Sequence, residues 1–346
     1  MIKTLTSWRG IIAVVIVLFH YHVVVFKGAE LFLVCFFYVV SGFLLALRYD
    51  TKPLPSWRRF FAERALRLYP ISWLALLPIA AILAYFHEWD GTPQFFTHLL
   101  LVQGFVPDKS FYFSFNTVSW FLGGLLLCYA CFPWLLRTLR RISLKVKLIG
   151  LGIWILAMLV LFPQLSTMTR VNLYVNPLMR TMDFVAGMIV AHAFIAMSKK
   201  EITIKPALAT VLELLPFAVH AFFGLLIIKV PSMFCYEDFV IWYIPAGMLV
   251  LVCALLNGRE GLLGRLVLCK PFQWLGTISL EIYIFQILAA RIYNYLIAPV
   301  LGHFGFEAAY DLYPVFGLLI LISLSWLVHR YVTPKLWRWA KQRAGS

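Results

Sequence analysis

Long apolar runs, separated by short polar stretches rich in glycine and proline, set the layout of this chain. Read for runs near the twenty or so residues that cross a hydrocarbon core, the pattern predicts ten membrane spans, at 8–26, 31–47, 70–86, 117–136, 148–163, 177–197, 207–229, 240–257, 274–299 and 312–333. An even number returns both ends of the chain to one side. The link Lys27-Gly28-Ala29-Glu30 is so short that the first two spans must be antiparallel neighbours. After Pro53 and Pro55, Ser56 caps a predicted short cytoplasmic helix over 56–69, rich in arginine and stopped by Pro70. Residues 87–116 form the longest outer loop, and its aromatic tract from Phe105 to Phe115 has enough apolar surface to fold back into the bundle. A segment at that depth must have its backbone satisfied by protein or water. No polar linker and no repeat of fixed period divides the chain. The expectation is an all-α polytopic bundle of about ten transmembrane helices, forming a single domain over 1–346.

Composition agrees with the pattern: 62% of the 346 residues are hydrophobic and 13% charged, against roughly half and a quarter in a soluble domain. The net charge of +15 suggests nucleic acid only until the cations are placed on the spans. With loops assigned alternately inside and outside, all of the 30 basic residues fall inside except Lys27, Lys109, Arg170, Arg180, Lys229 and Arg291. That asymmetry is the positive-inside rule; it sets both termini in the cytoplasm and removes the nucleic-acid reading. The six cysteines are scattered through apolar surroundings. Only Cys128 and Cys131 are close, without a second pair or a histidine at zinc spacing, so they read as core residues and no metal site is expected. The amino-terminal run follows Lys3 as a signal peptide would, yet lacks a small-residue cleavage site and reads as the first membrane helix.

Against this background the informative residues are the polar ones inside the spans. The first span carries Arg9 at its start and His20 and His22 near its end, groups that a bilayer penalises and that mark a functional site by default. Eleven residues of helix bring His20 back to nearly the face of Arg9, about 16 Å further along the axis, whereas His22 points elsewhere. Within the arginine-rich helix, Trp57, Phe60, Phe61 and Leu68 share an apolar face, and Arg64 sits inside it. Such an arginine points towards an anion or a carboxylate, and Arg64 with Arg67 one turn on suits phosphates, although lipid headgroups account for the pair equally well. Ser41-Gly42 and Gly123-Gly124 permit close approach of another backbone, and helix packing explains both. Arg180 and Asp183 have the spacing of an ion pair within one helix. Glu213 and His220 share a face and could hydrogen-bond to each other, as a structural pair or a proton relay. Glu281 needs a partner, either a buried arginine or its own proton. His329 reads as an interfacial residue at a helix end.

Five blocks now stand in order along the chain: Arg9 with His20 after ten intervening residues; Phe36-Phe37 followed by Ser41-Gly42-Phe43; Arg64-Ala65-Leu66-Arg67-Leu68-Tyr69-Pro70; Trp120 with Tyr129 and Pro133; and Gly276, Ser279 and Tyr283. Together they resemble the acyltransferase-3 family of integral membrane acyltransferases, which decorate envelope polysaccharides and related sugars. The resemblance implies a multi-pass protein of the bacterial inner membrane that moves an acyl group, acetyl or another short one, from cytoplasmic acyl-CoA to a hydroxyl or amine of an envelope glycan or lipid-linked sugar. In that reading His20 is the general base, and Arg9, on the same face nearer the cytoplasm, holds the donor or a buried anion. Arg64, Arg67 and Tyr69 take the nucleotide end of the donor, while Ser41, Asn116, Trp120, Ser279, Glu281 and Tyr283 support the site. Two departures stand out: Leu125 where many members carry glutamate, and Gln286 where they commonly carry histidine. Both remove an obvious partner for His20. The competing reading is a secondary transporter of an anionic or sugar-like solute, in which Arg9, His20 and Glu281 bind the solute or relay protons. A sensor or scaffold without turnover is a third.

Overall fold

The computed structural model describes residues 2–23, 29–199, 204–230, 241–306 and 311–345; the expected hairpin at Lys27-Gly28 lies outside them. The described residues are helical, without a strand. In order they form α1 (Lys3–His20), α2 (Ala29–Thr51), α3 (Trp57–Tyr85), α4 (Thr92–Leu100), α5 (Lys109–Tyr112), α6 (Trp120–Arg141), α7 (Leu144–Leu161), α8 (Thr167–Val175), α9 (Pro177–Ser198), α10 (Pro206–Lys229), α11 (Tyr243–Leu255), α12 (Leu262–Val267), α13 (Lys270–Thr277), α14 (Ser279–Arg291), α15 (Ala298–His303), α16 (Tyr313–Leu327) and α17 (Thr333–Gly345). π-Helical turns at Ile292–Ile297 and Val328–Val332 join α14 to α15 and α16 to α17. Among the described residues nine helical stretches are long and apolar enough to cross a membrane. The remaining expected span, 240–257, is represented by α11, whose 13 residues reach only about 20 Å.

The predicted stop at Pro70 does not occur. α3 runs unbroken for 29 residues through both Pro70 and Pro78, so the arginine-rich segment is the first part of a membrane helix rather than a separate one. A proline inside a helix sacrifices one hydrogen bond and crowds the preceding turn. In hydrocarbon a broken helix exposes several unsatisfied groups, and the continuous one is the cheaper arrangement. The buried stripe also carries across the proline, with Leu68, Ile71, Ala75 and Ile79 following one another at helical spacing.

By contact the chain divides into two compact units, each discontinuous in sequence: Met1–Ile11, Phe26–Leu54 and Leu127–Gly276 in one, Ile12–Val25, Pro55–Leu126 and Thr277–Ser346 in the other. In the first unit α2 packs along α9, and α11 lies against both and against α10. A Cβ on Gly42 would fall on the carbonyl oxygen of Phe184, and one on Gly187 on that of Val39, so the two backbones touch where the side chains vanish. Ser41 beside Gly42 turns its hydroxyl back to the Phe37 carbonyl of its own helix at 2.7 Å; the pair serves packing. Gly10 and Gly276 meet in the same way, Gly10 against the Gly276 backbone and Gly276 against the Thr6 carbonyl. Arg180 and Asp183 form the expected ion pair within α9, at 2.8 Å and with both side chains buried. Glu213 and His220 do not pair with each other. The Glu213 carboxylate accepts the Gly261 amide at 2.8 Å, and the His220 ring lies between Phe32 and Trp242, at 4.6 and 5.0 Å between centroids.

In the second unit α14 packs against α16 and α3, and α17 lies along α3. The loop over 87–116 folds into α4, a short 3-10 turn at Gln103–Phe105 and α5. Of its aromatic tract Tyr112 and Phe115 are fully buried while Phe105 and Phe113 are exposed. Gly123 of α6 meets the Leu101 carbonyl, which explains that small residue as close packing.

Candidate active site

α1 is uninterrupted from Lys3 to His20. Arg9 belongs to the first unit and is half-buried; His20 belongs to the second and is half-buried too. The imidazole of His20 has its Nδ1 2.8 Å from the Oε1 of Gln286. Gln286 is completely buried, and its amide nitrogen donates to the Tyr283 carbonyl at 2.8 Å, three residues back on α14. The Tyr21 hydroxyl, next in sequence to His20, donates to the backbone carbonyl of Gln286 at 2.9 Å.

This stretch of α14 gathers other candidates as well. Asn116 is buried and donates through Nδ2 to the Ile284 carbonyl at 3.1 Å. The Tyr283 hydroxyl donates to the Val118 carbonyl at 3.2 Å, and its ring packs 5.0 Å from that of Phe121. Residues 283–286 therefore tie together the end of α1, the segment before α6 and α6 itself. Trp120, at the start of α6, and Ser279, at the start of α14, are both buried. The absence of a glutamate at Leu125 is met by a buried leucine. At position 286, where the sequence predicts a lost partner, the Gln286 amide oxygen accepts from His20, since an amide oxygen accepts a hydrogen bond as well as a ring nitrogen does.

Glu281 lies five residues before Gln286, about 140° around the helix, and faces another group. Its carboxylate sits 2.9 Å from the Nδ1 of His329 and accepts the Thr333 hydroxyl at 2.9 Å. His329, which the sequence had marked only as interfacial, stands beside Glu281 where a buried arginine was one expectation. The π-turn Val328–Val332 carries His329, and the wider turn shifts the register of side chains that regular helix spacing would assign.

The arginines at the start of α3 are fixed by aromatic faces. Arg64 donates to the Phe60 carbonyl at 2.9 Å, and its guanidinium carbon lies 3.5 Å from the centre of the Phe60 ring. Arg67 lies over Trp337 of α17 at 4.5 Å. Tyr69 sends its hydroxyl to the Leu100 carbonyl at 2.9 Å, which ties α3 to the end of α4.

His98 in α4 carries a network that the sequence did not announce. Its buried ring has Nδ1 3.0 Å from the Ser119 hydroxyl, and Nε2 2.8 Å from the Phe111 carbonyl and 3.0 Å from the Ser114 hydroxyl. Gln103 also donates to Ser119, at 2.9 Å. Burial, outweighing the Phe111 carbonyl and the field of Asp90, pushes the His98 pKa down to about 4. A single histidine in an amphipathic nine-residue segment gives no signal of such a role. No group of three or more His, Cys, Asp or Glu that would hold a metal ion occurs among the described residues.

A multi-pass helical membrane protein with one histidine held at the end of its first helix is the class these features define. A family model described as an acyltransferase domain matches residues 2–330, and the chain belongs to that family, acyltransferase-3. It is also similar to the acyltransferase MdmB of Streptomyces mycarofaciens, 30% identical over 117 residues that cover 32% of this chain and 29% of that one. No solved structure matches the chain.

Proposed function

We propose that the protein moves an acyl group, acetyl or another short one, from cytoplasmic acyl-CoA to a hydroxyl or amine of an envelope glycan or related sugar, with His20 as general base. The observation that carries this reading is the half-buried His20, held through one ring nitrogen by the neutral Gln286 amide, in a chain whose family transfers acyl groups. The imidazole takes the proton of the acceptor hydroxyl, the oxygen bonds to the thioester carbon, the carbon–sulfur bond breaks, and the imidazolium returns its proton to the departing thiolate. Arg64 and Arg67 take the donor's phosphates at the start of α3, and Arg9 holds an anion. Tyr69, with its hydroxyl on Leu100, then sets the position of this helix beside α4. Ser41, Asn116, Trp120, Ser279, Glu281 and Tyr283 hold the scaffold. The protein lies in the bacterial inner membrane with both termini in the cytoplasm, as its charge distribution favours, and the whole chain forms the catalytic domain.

Labelled acetyl incorporation into envelope glycan separates this reading from a transporter. Cells carrying His20→Ala at normal protein level are expected to lose it, and incorporation at the parental rate would refute the base assignment. Solute uptake by the purified protein in vesicles, with no transfer or hydrolysis of acyl-CoA, would favour transport. Arg64→Ala is expected to weaken acyl-CoA binding in detergent by about tenfold, one charge-assisted contact. Unchanged donor affinity would remove the donor from this helix.

A further inference from the structure

We propose that Gln286 is the positioning residue of His20, and that its amide dictates which imidazole nitrogen carries the proton; this rests on the reading of His20 as the base. An amide has one end that accepts and one that donates, and only one orientation suits the neighbours of Gln286. Its nitrogen lies 2.8 Å from the Tyr283 carbonyl, which can only accept. The flipped amide would set two oxygens against each other in a fully buried place, where an unsatisfied polar pair is costly. With the nitrogen committed to Tyr283, the oxygen faces His20 Nδ1 at 2.8 Å, and Nδ1 must be the donor. A neutral imidazole has a single proton, so with Nδ1 donating to Gln286 the lone pair sits on Nε2; the Ile16 carbonyl, one turn back on α1, also bonds to the ring. Histidine in water favours the opposite tautomer, and the buried amide holds the ring against that preference.

The backbone holds the amide in turn. Tyr21 donates to the Gln286 carbonyl at 2.9 Å, so the residue after the base and the residue that orients it are joined by a second bond. The arrangement matches the general pattern in which a working histidine has its far nitrogen fixed by a hydrogen-bonding partner. Here that partner is neutral. It selects the tautomer without offering a counter-charge to the imidazolium.

The test is nitrogen NMR of the full-length protein, labelled with 15N-histidine and held in lipid nanodiscs at a pH where the ring is neutral. The His20 signals are those missing from His20→Ala. The wild type is expected to show a protonated Nδ1 and an unprotonated Nε2. Gln286→Met, close in shape but without the acceptor, is expected to show the Nε2-protonated form, with kcat lowered about 10- to 100-fold and KM for both substrates changed less than twofold. A wild type protonated at Nε2, or a Gln286→Met protein with the wild-type tautomer, would overturn the proposal. Because the tautomer is read without turnover, a His20→Ala enzyme of full activity would instead overturn the catalytic reading alone.

Discussion

At the scale of single residues, His98 joins burial to pH. Its folded pKa of about 4 lies below the value near 6.5 of a free histidine, so the unfolded chain binds the proton more tightly. Stability from this group is fully present above about pH 6.5 and falls as the pH drops towards 4, by up to roughly 3 kcal/mol. Thermal unfolding in detergent should show that slope, and His98→Gln should flatten it; an equal slope in the variant would show that other groups carry it. Such a role was not legible, because the partners of His98 come from Ser114, Ser119 and the Phe111 carbonyl, and sequence spacing does not record where a loop folds back. His20 was legible for the opposite reason: a polar group in a long apolar run stands out by its cost. Gln286 was seen but misread as a loss.

Among the elements, the crossing of α2 and α9 shows what small residues do in a helical membrane protein. Apolar side chains gain nothing there over lipid tails, so association depends on close contact, and Gly42 and Gly187 provide it at the Phe184 and Val39 carbonyls. Gly187→Val is expected to destabilise the protein by about 1–3 kcal/mol, as overpacking does, read as a lower unfolding temperature in detergent with acyl-CoA binding unchanged in whatever fraction stays folded. An unfolding temperature equal to the parent's would mean that the helices part there at little cost. Reading Ser41-Gly42 as packing anticipated this contact. The end of the arginine-rich helix at Pro70 was misjudged, since a stop rule learned from water fails where a broken helix has no solvent to satisfy it. Glu281 and His329 were both visible as polar residues, but the π-turn that brings them together has no sequence signature.

For the whole molecule, hydropathy and charge were enough to reveal an all-helical membrane protein, because lipid admits so few alternatives. Nine of the ten predicted spans have a long apolar helix among the described residues, and α11 is a shorter one. The division into two units was not visible: each is stitched from three distant segments, and no linker marks the joins. The matched family gives the chain its chemistry, and α1 carries the two polar residues on which the proposed reaction depends. The most direct measurement is transfer of label from acetyl-CoA to an envelope-glycan acceptor by the purified protein in lipid vesicles, with donor binding measured on the same samples. Wild-type protein should transfer the label, and His20→Ala should bind donor normally while transferring roughly 100- to 10,000-fold more slowly. Equal rates from the two proteins would contradict the account.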